Sequence, residues 1–327
     1  MLALDKERFQ GRKMLTLDKE HFQGRDFLSL SDYSQDEIKY MLQVASQLKT
    51  QQKAGIPHPL LQGKSLGMIF TKSSTRTRVS FEVGMYQLGG QGLFLSGRDI
   101  QLGRGETIAD TARVLSRMLD GIMIRTFSHQ EVQALAEYAT IPVINGLTDL
   151  LHPTQVLADL LTIQEHVGRL AGLKLVYIGD GNNMAHCLMI GGAKMGLHVV
   201  IASPAGYKPN PEIVAMAQAD AKANGGFVEV VTDPLAAAKG ADVLYTDVWA
   251  SMGQEDEAEI RKRAFAGYQI NREMLQVAAS RAIVMHCLPA HRGEEISEEV
   301  LEGEQSVVFD EAENRLHAQK AIMALVM

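Results

Sequence analysis

The chain has 327 residues, 46% of them hydrophobic and 22% charged, a globular composition with room for about two domains. A formal net charge of −7, without any block of Lys and Arg interleaved with aromatics, argues against a nucleic-acid surface of the usual basic kind. Apolar runs such as "ADVLYTDVWA" and "RAIVMHCLP" stop far short of the roughly 20 residues that span a bilayer, and no apolar signal segment opens the chain, so a cytoplasmic protein free of the membrane is expected. The two cysteines, Cys187 and Cys287, are too few for a disulfide framework and lack CxxC spacing.

In chain order, the first feature is a duplication: "MLALDKERFQGR" (1–12) returns as "MLTLDKEHFQGR" (14–25). A repeat this short, present twice, is no solenoid; residues 1–26 read as an N-terminal extension containing it, the first copy an alternative start and Met14 the opening of the fold. "SDYSQDE" offers an N-cap and early acids to the helical spacing of "IKYMLQVASQLKTQQK", which ends near Gly55 and Pro57. Strand-like "SLGMIF", "GLFL", "GIMIRT" and "PVING" then alternate with helix-like "TRVSFEVGMYQLGG", "TIADTARVLSRML" and "HQEVQALAEYA". A second series runs "LKLVYIGD", "LHVVIAS", "FVEVV", "ADVLYTDV" and "RAIVMH", again with helices between. This rhythm predicts an α/β fold of two parallel-sheet αβα domains, 27–150 and 151–310, joined by the helix "HPTQVLADLLTIQEHVG", with a closing helix over 311–327. The cleft between the domains is the default ligand site.

Five polar clusters fall where strands end or helices begin. "TKSSTRTR" (71–78) follows the first strand. Ser74 can cap the next helix, leaving first-turn N–H groups, the hydroxyls of Thr75 and Thr77 and the Arg76 fork for an anion such as phosphate. The competing reading is a well-capped helix with solvated arginines. Arg125 ends the strand "GIMIRT" in the same half. In "LHPTQ", Pro153 suits a first helical turn, and His152 and Gln155, three apart, share a face suited to a small carbonyl-plus-amine group. "YIGDGNNMAH" has the setting of a dinucleotide turn, but Met184 stands where a third glycine is needed and Ser203 where an acid would hold a ribose, so Asn182 and Asn183 are assigned to an amino-acid carboxylate instead. "YTDVWASMGQ" offers Asp247 to an ammonium group and Gly253 to loop closure. In "MHCLPAHRG" the adjacent His286 and Cys287 are ill placed to ligate one metal ion with their side chains, and no metal or cofactor is expected.

"STRTR", "HPTQ", "DGNN", "DVWASMGQ", "HCLPAHR" and "EAENR" stand in the order and spacing of the aspartate/ornithine transcarbamylase family, and from Phe27 onward the chain resembles its ornithine branch. "STRT" and "HPTQ" are general marks of the family, whereas "DxxxSMG" with "HCLP" is similar to ornithine carbamoyltransferases in particular. The resemblance implies that the C-terminal helix packs back on the first domain. It implies that Ser74, Thr75, Arg76 and Thr77 hold the phosphate of carbamoyl phosphate, with Arg125 bridging phosphate and carbonyl and His152 and Gln155 binding the carbamoyl end. Gln101 matches a position that serves a neighbouring subunit's site in a homotrimer. Asn183, Asp247, Ser251 and Met252 match ornithine-binding positions, Cys287 and Leu288 would lie between the two substrates, and Arg315 would approach the carbamoyl group. The implied reaction is attack of the neutral δ-amine of L-ornithine on the carbamoyl carbon through a tetrahedral oxyanion held by Arg125, His152 and Thr77, giving L-citrulline and phosphate. Carbamoyl phosphate would bind first, and the 247–254 loop would close over ornithine. Either Asp247 or Cys287, the latter with a lowered thiol pKa, could receive the amine's proton, and Lys72 is left without a role beyond its field. A carbamoyltransferase for another amine such as putrescine is the alternative within this chemistry, and an amino-acid or dinucleotide-binding module the alternative outside it.

Overall fold

The computed structural model describes residues 17–102, 105–250 and 255–327. The first copy of the duplication, Ser251 and Met252 lie outside the described residues. The second copy does not hang free from residue 17 onward: Phe22 is buried against the rings of Tyr33 and Tyr40, and Gly24 N–H donates to Val326 O at 2.9 Å. The folded body therefore starts earlier than the boundary at 27 implies.

Helix α1 (Gln35–Lys53) opens with a capping box between Ser34 and Glu37, two orphan backbone donors satisfied reciprocally. The first half then alternates β1 (Ser65–Phe70), α2 (Thr75–Gln87), β2 (Gln91–Ser96), α3 (Ile108–Leu115), β3 (Gly121–Arg125), α4 (His129–Tyr138) and β4 (Val143–Leu147). After α5 (Pro153–Val167) come β5 (Lys174–Ile178), α6 (Asn183–Lys194), β6 (His198–Ala202), α7 (Pro211–Ala223), β7 (Phe227–Val231), α8 (Pro234–Ala238) and β8 (Val243–Thr246). The chain closes with α9 (Ala258–Ala264), α10 (Arg272–Val277), β9 (Ile283–His286), α11 (Glu298–Leu301) and α12 (Val308–Val326). The closing helix thus starts three residues before the predicted 311. No helix among the described residues is long and apolar enough to cross a membrane.

Both sheets are wholly parallel, ordered β2-β1-β3-β4 and β7-β6-β5-β8-β9. Each order reverses direction once, between β1 and β3 in the first sheet and between β5 and β8 in the second. At such a reversal the flanking crossovers diverge and leave a crevice at the carboxyl ends of the strands. "TKSSTRTR" follows β1, Arg125 ends β3, "GDGNN" follows β5 and "DVWA" follows β8, so three of the polar clusters and Arg125 are delivered to the two crevices.

The interdomain helix α5 is buried continuously from Pro153 to Ile163, and α12 packs against α1, α2 and α5, which returns the C-terminus to the first domain. Gly84 permits the α2 contact: a Cβ there would sit 2.9 Å from Met323 Cε and 3.2 Å from Lys320 Cγ. The edge strand β2 reads as an apolar strand like the others in "GLFL" yet lies half open, with Leu93 and Phe94 exposed next to Val79, Val83 and Tyr86 of α2.

Candidate active site

The anion corner is built first. Ser74, in extended backbone conformation, caps α2 by accepting from Thr77 N–H at 3.2 Å. Among the described residues the N–H groups of Thr75 and Arg76 have no partner, and the aligned peptide dipoles place partial positive charge there. Three guanidinium groups converge on this turn. Arg315, brought by α12, donates to Thr77 Oγ1 (2.8 Å) and to Gln155 Oε1 (2.8 Å). Arg125 donates to Thr77 Oγ1 at 3.4 Å, and Arg76 reaches across the cleft to Leu288 O at 2.6 Å. Among the described residues none of the three forms an ion pair with a carboxylate, and the buried Nε atoms of Arg125 and Arg315 have no partner. Burial, then repulsion by Arg315 and Arg76, lowers Arg125 to about 9, and burial lowers Arg315 to about 10, so both remain cations at neutral pH. Unpaired buried cations of this kind call for an anionic ligand.

His152 is the N-cap of α5, and Pro153 fills the first helical position as expected. Burial, followed by the fields of Arg315, Arg125 and Arg76, pushes its imidazole well below the ordinary range. It is therefore a neutral ring, able to donate to a carbonyl without adding a fourth positive charge. Lys72 is already engaged, donating to Asp149 at 2.9 Å and standing 4.6 Å over the Phe127 ring.

The opposite wall comes from the second domain. Asn182, rather than Asn183, caps α6, accepting from Met184 and Ala185 N–H, and its amide donates to Asp247 Oδ2 at 3.1 Å. Asn183 donates instead to Thr148 O at 2.7 Å, bridging to the first domain. Asp247 Oδ1 accepts from Val248 N–H (2.8 Å) and from the Cys287 thiol (3.1 Å). Burial, and next the adjacent Asp247 charge, raises that thiol well above its usual value. Of the two candidates left open for the amine's proton, this environment favours Asp247, since a buried sulfur beside a carboxylate keeps its proton. Leu288 has a positive φ of 57° and a cis bond to Pro289, and its N–H donates to His286 Nδ1 at 2.9 Å. That contact assigns the imidazole proton to Nε2, which donates to Glu295 at 2.9 Å.

A cavity of about 430 Å³ joins these walls. Ser74, Thr75, Arg76, Arg125, His152 and Gln155 line it from one side, Asn183, Asp247, Cys287 and Leu288 from the other, and Arg315 from α12. Thr77 is fully buried behind the wall, holding two of the arginines. Gln101 is exposed and off the wall. The metal reading also needs correction in one respect, because Asp247, His286 and Cys287 do bring one ligand atom each within 4.8 Å of one another. Both ring nitrogens of His286 are nonetheless taken up by the bonds to Leu288 and Glu295.

Residues 25–165 match the family model described as aspartate/ornithine carbamoyltransferase, carbamoyl-P binding domain, and residues 171–326 match its Asp/Orn binding domain. The chain belongs to the aspartate/ornithine carbamoyltransferase family. Carbamoyl transfer is the reaction of that family, and the relatives fall in its ornithine branch. An ornithine carbamoyltransferase of Symbiobacterium thermophilum is 67% identical over 299 residues, 91% of this chain and 96% of the relative. The anabolic ornithine carbamoyltransferase of Pyrococcus furiosus is 57% identical over 298 residues, 91% of this chain and 95% of the relative. Among solved structures, the ornithine carbamoyltransferase from Pyrococcus furiosus superposes with a TM-score of 0.91 at 56% identity, covering 93% of this chain and 97% of that one.

Within the carbamoyltransferase cavity the sequence pointed to the wall itself but not to what stands behind it. Asp159 and Glu311, both fully buried, receive the Gln155 amide, and Glu295 receives His286. The four-residue spacing of Gln155 and Asp159 on one helix was a legible signal.

Proposed function

We propose that the chain transfers the carbamoyl group of carbamoyl phosphate to the δ-amine of L-ornithine, giving L-citrulline and phosphate. One observation carries the reading: three arginines without carboxylate partners among the described residues converge at a helix start, two of them buried, and a carboxylate, Asp247, faces them across the same cavity. A phosphate satisfies the first wall and an amine the second.

In this reading the first turn of α2, with Ser74, Thr75 and Arg76, receives the phosphate, the Thr77 hydroxyl holds Arg125 and Arg315 from behind, and Arg125 spans phosphate and carbonyl. Neutral His152 and Arg315 donate to the carbonyl oxygen as it becomes an oxyanion, and Gln155 orients the carbamoyl end. A single donor of this kind is typically worth about 3 kcal/mol of barrier. Asn183, Asp247, Ser251 and Met252 bind ornithine. Because the Cys287 thiol is held protonated as a donor to Asp247, Asp247 takes the proton from the δ-ammonium, and Cys287 and Leu288 shape the passage between substrates. The amine then attacks the carbamoyl carbon, the tetrahedral intermediate collapses, the carbon–oxygen bond to phosphate breaks, the remaining extra proton of the attacking nitrogen passes to the leaving phosphate, and Asp247 returns its own proton to solvent.

The domain division matches these roles: 27–150 with the C-terminal helix as the carbamoyl-phosphate half and 151–310 as the ornithine half. The enzyme works in the cytoplasm as a homotrimer in which Gln101 serves a neighbouring site. In support, Gln101 is exposed in the protomer, and a second cavity of about 740 Å³ opens on the outer side of Ser74, between Phe94 and Arg98. The exposed row Val79, Val83, Tyr86 on α2 flanks it.

A bisubstrate analogue joining a phosphonoacetyl group to the δ-nitrogen of L-ornithine tests the reading by calorimetry. Sub-micromolar affinity is expected, and much weaker binding than for the corresponding putrescine compound would favour the other amine.

A further inference from the structure

We propose that Asp159 and Glu311 act as a one-proton carboxyl pair that positions the Gln155 amide, and through it Arg315, at the carbamoyl end of the cavity. The inference rests on the carbamoyl-phosphate reading of that cavity.

Gln155 has no free choice of orientation. Its Nε2 donates to Asp159 Oδ1 at 2.8 Å and to Glu311 Oε1 at 3.1 Å, while its Oε1 accepts from Arg315 Nη1 at 2.8 Å. Glu311 is also the hub between elements, with Oε1 accepting from Tyr245 OH (2.9 Å) on β8 and Oε2 from His286 N–H (2.9 Å) on β9. Asp159 sits on the interdomain helix and Glu311 on the helix that returns to the first domain, so one amide joins the reacting wall to both connections.

Two carboxyl groups at 0% exposure, brought to one –NH2 group, cannot both be charged at low cost. Burial raises both, and Asp159 raises Glu311 further through its charge and hydrogen bond, whereas the bond to Glu311 lowers Asp159. The pair therefore keeps one proton between them, and titrates as a unit. Glu311 already receives three donors, which favours its anion, whereas Asp159 receives one and leaves Oδ2 without a partner. By this count of donors the retained proton belongs on Asp159, although burial and the Asp159 charge also push Glu311 well above the usual carboxylate range. The charged and titratable groups around the pair are Arg315 from α12, Tyr245 from β8, His286 with Glu295 from β9, and Asp247 and Cys287 beyond the ends of β8 and β9. Losing the proton places a second negative charge directly behind Gln155 and draws Arg315 away from the ligand, which weakens the hold on an anion.

Phosphonoacetamide, with a methylene for the bridging oxygen of carbamoyl phosphate, is the probe, titrated by calorimetry into the full chain from pH 6 to 9. Asp159→Asn keeps a carbonyl for Gln155 and replaces the acid proton by an amide N–H, so it cannot lose that proton. The ratio of the wild-type Kd to that of Asp159→Asn is expected to rise about tenfold between pH 6 and 9, the loss of roughly one charge-assisted hydrogen bond. Glu311→Gln turns an N–H2 toward His286 N–H and is expected to weaken binding at every pH with an unchanged circular dichroism spectrum; it also serves as the second non-titrating variant should Asp159→Asn not fold. A constant ratio across the pH range overturns the pair's role while leaving the site reading intact. No binding by the wild type at pH 6 overturns the site reading and the proposal with it.

Discussion

Replacing Arg125 by Met separates what the anion corner costs from what it does. The guanidinium is lowered to about 9 because it is buried and faces Arg315 and Arg76. A lowered folded-state pKa in a cation means that folding is penalised at every pH below about 9, and the penalty fades only as pH rises toward the unfolded value. The full drop corresponds to roughly 5 kcal/mol at neutral pH. The cavity is open to water on one side, which returns part of this, so about 2 kcal/mol is a realistic gain from removing the charge while keeping most of the side-chain volume. Scanning calorimetry of the ligand-free Arg125→Met variant should show a midpoint higher by about 2 to 4 °C. The stabilisation that the wild type gains from millimolar carbamoyl phosphate or inorganic phosphate should vanish. A variant with a lower midpoint that still responds to phosphate would refute the reasoning on both counts.

Asp247→Asn should lower kcat/KM for ornithine by about 10² to 10⁴, the usual worth of a positioned base, with the KM for carbamoyl phosphate little changed; steady-state kinetics with each substrate varied will show it. Cys287→Ser keeps a donor toward Asp247 and should cost less than about tenfold in kcat, whereas a loss as large as that of Asp247→Asn would reinstate the thiolate as base. His152→Ala should lower kcat by about 10² to 10³ through loss of a donor to the oxyanion. Because that ring is held neutral well below its ordinary range, the acid limb of the wild-type pH–rate profile should not shift in His152→Gln. Gly181→Ala should destabilise the second domain, since a Cβ there would lie 2.2 Å from Pro209 N, backbone that cannot yield cheaply; a denaturation midpoint equal to that of the wild type would count against the fit.

The strands of the two sheets were legible because parallel strands buried on both faces read as short apolar runs, as "SLGMIF" and "GIMIR" do. The strand-end clusters were legible for a related reason, since an open α/β sheet delivers the residues after each strand to one edge. Three things were not. β2 reads as an apolar strand like the others and is a half-open edge, because apolar content does not say which strand lies outermost. The chemical state of Cys287 depends on Asp247, forty residues away in sequence and 3.1 Å away in space, so its neutrality could not be read locally. Asp159 and Glu311 look like ordinary helix acids until α5 and α12 pack together and remove both from water.

The most direct test of the central claim is product formation measured with carbamoyl phosphate and, in parallel, L-ornithine, putrescine and L-aspartate as acceptors. Stoichiometric citrulline and phosphate from ornithine, with little turnover of the other two, is the expected result. Preferential carbamoylation of putrescine, or no turnover of ornithine by folded protein, would contradict it.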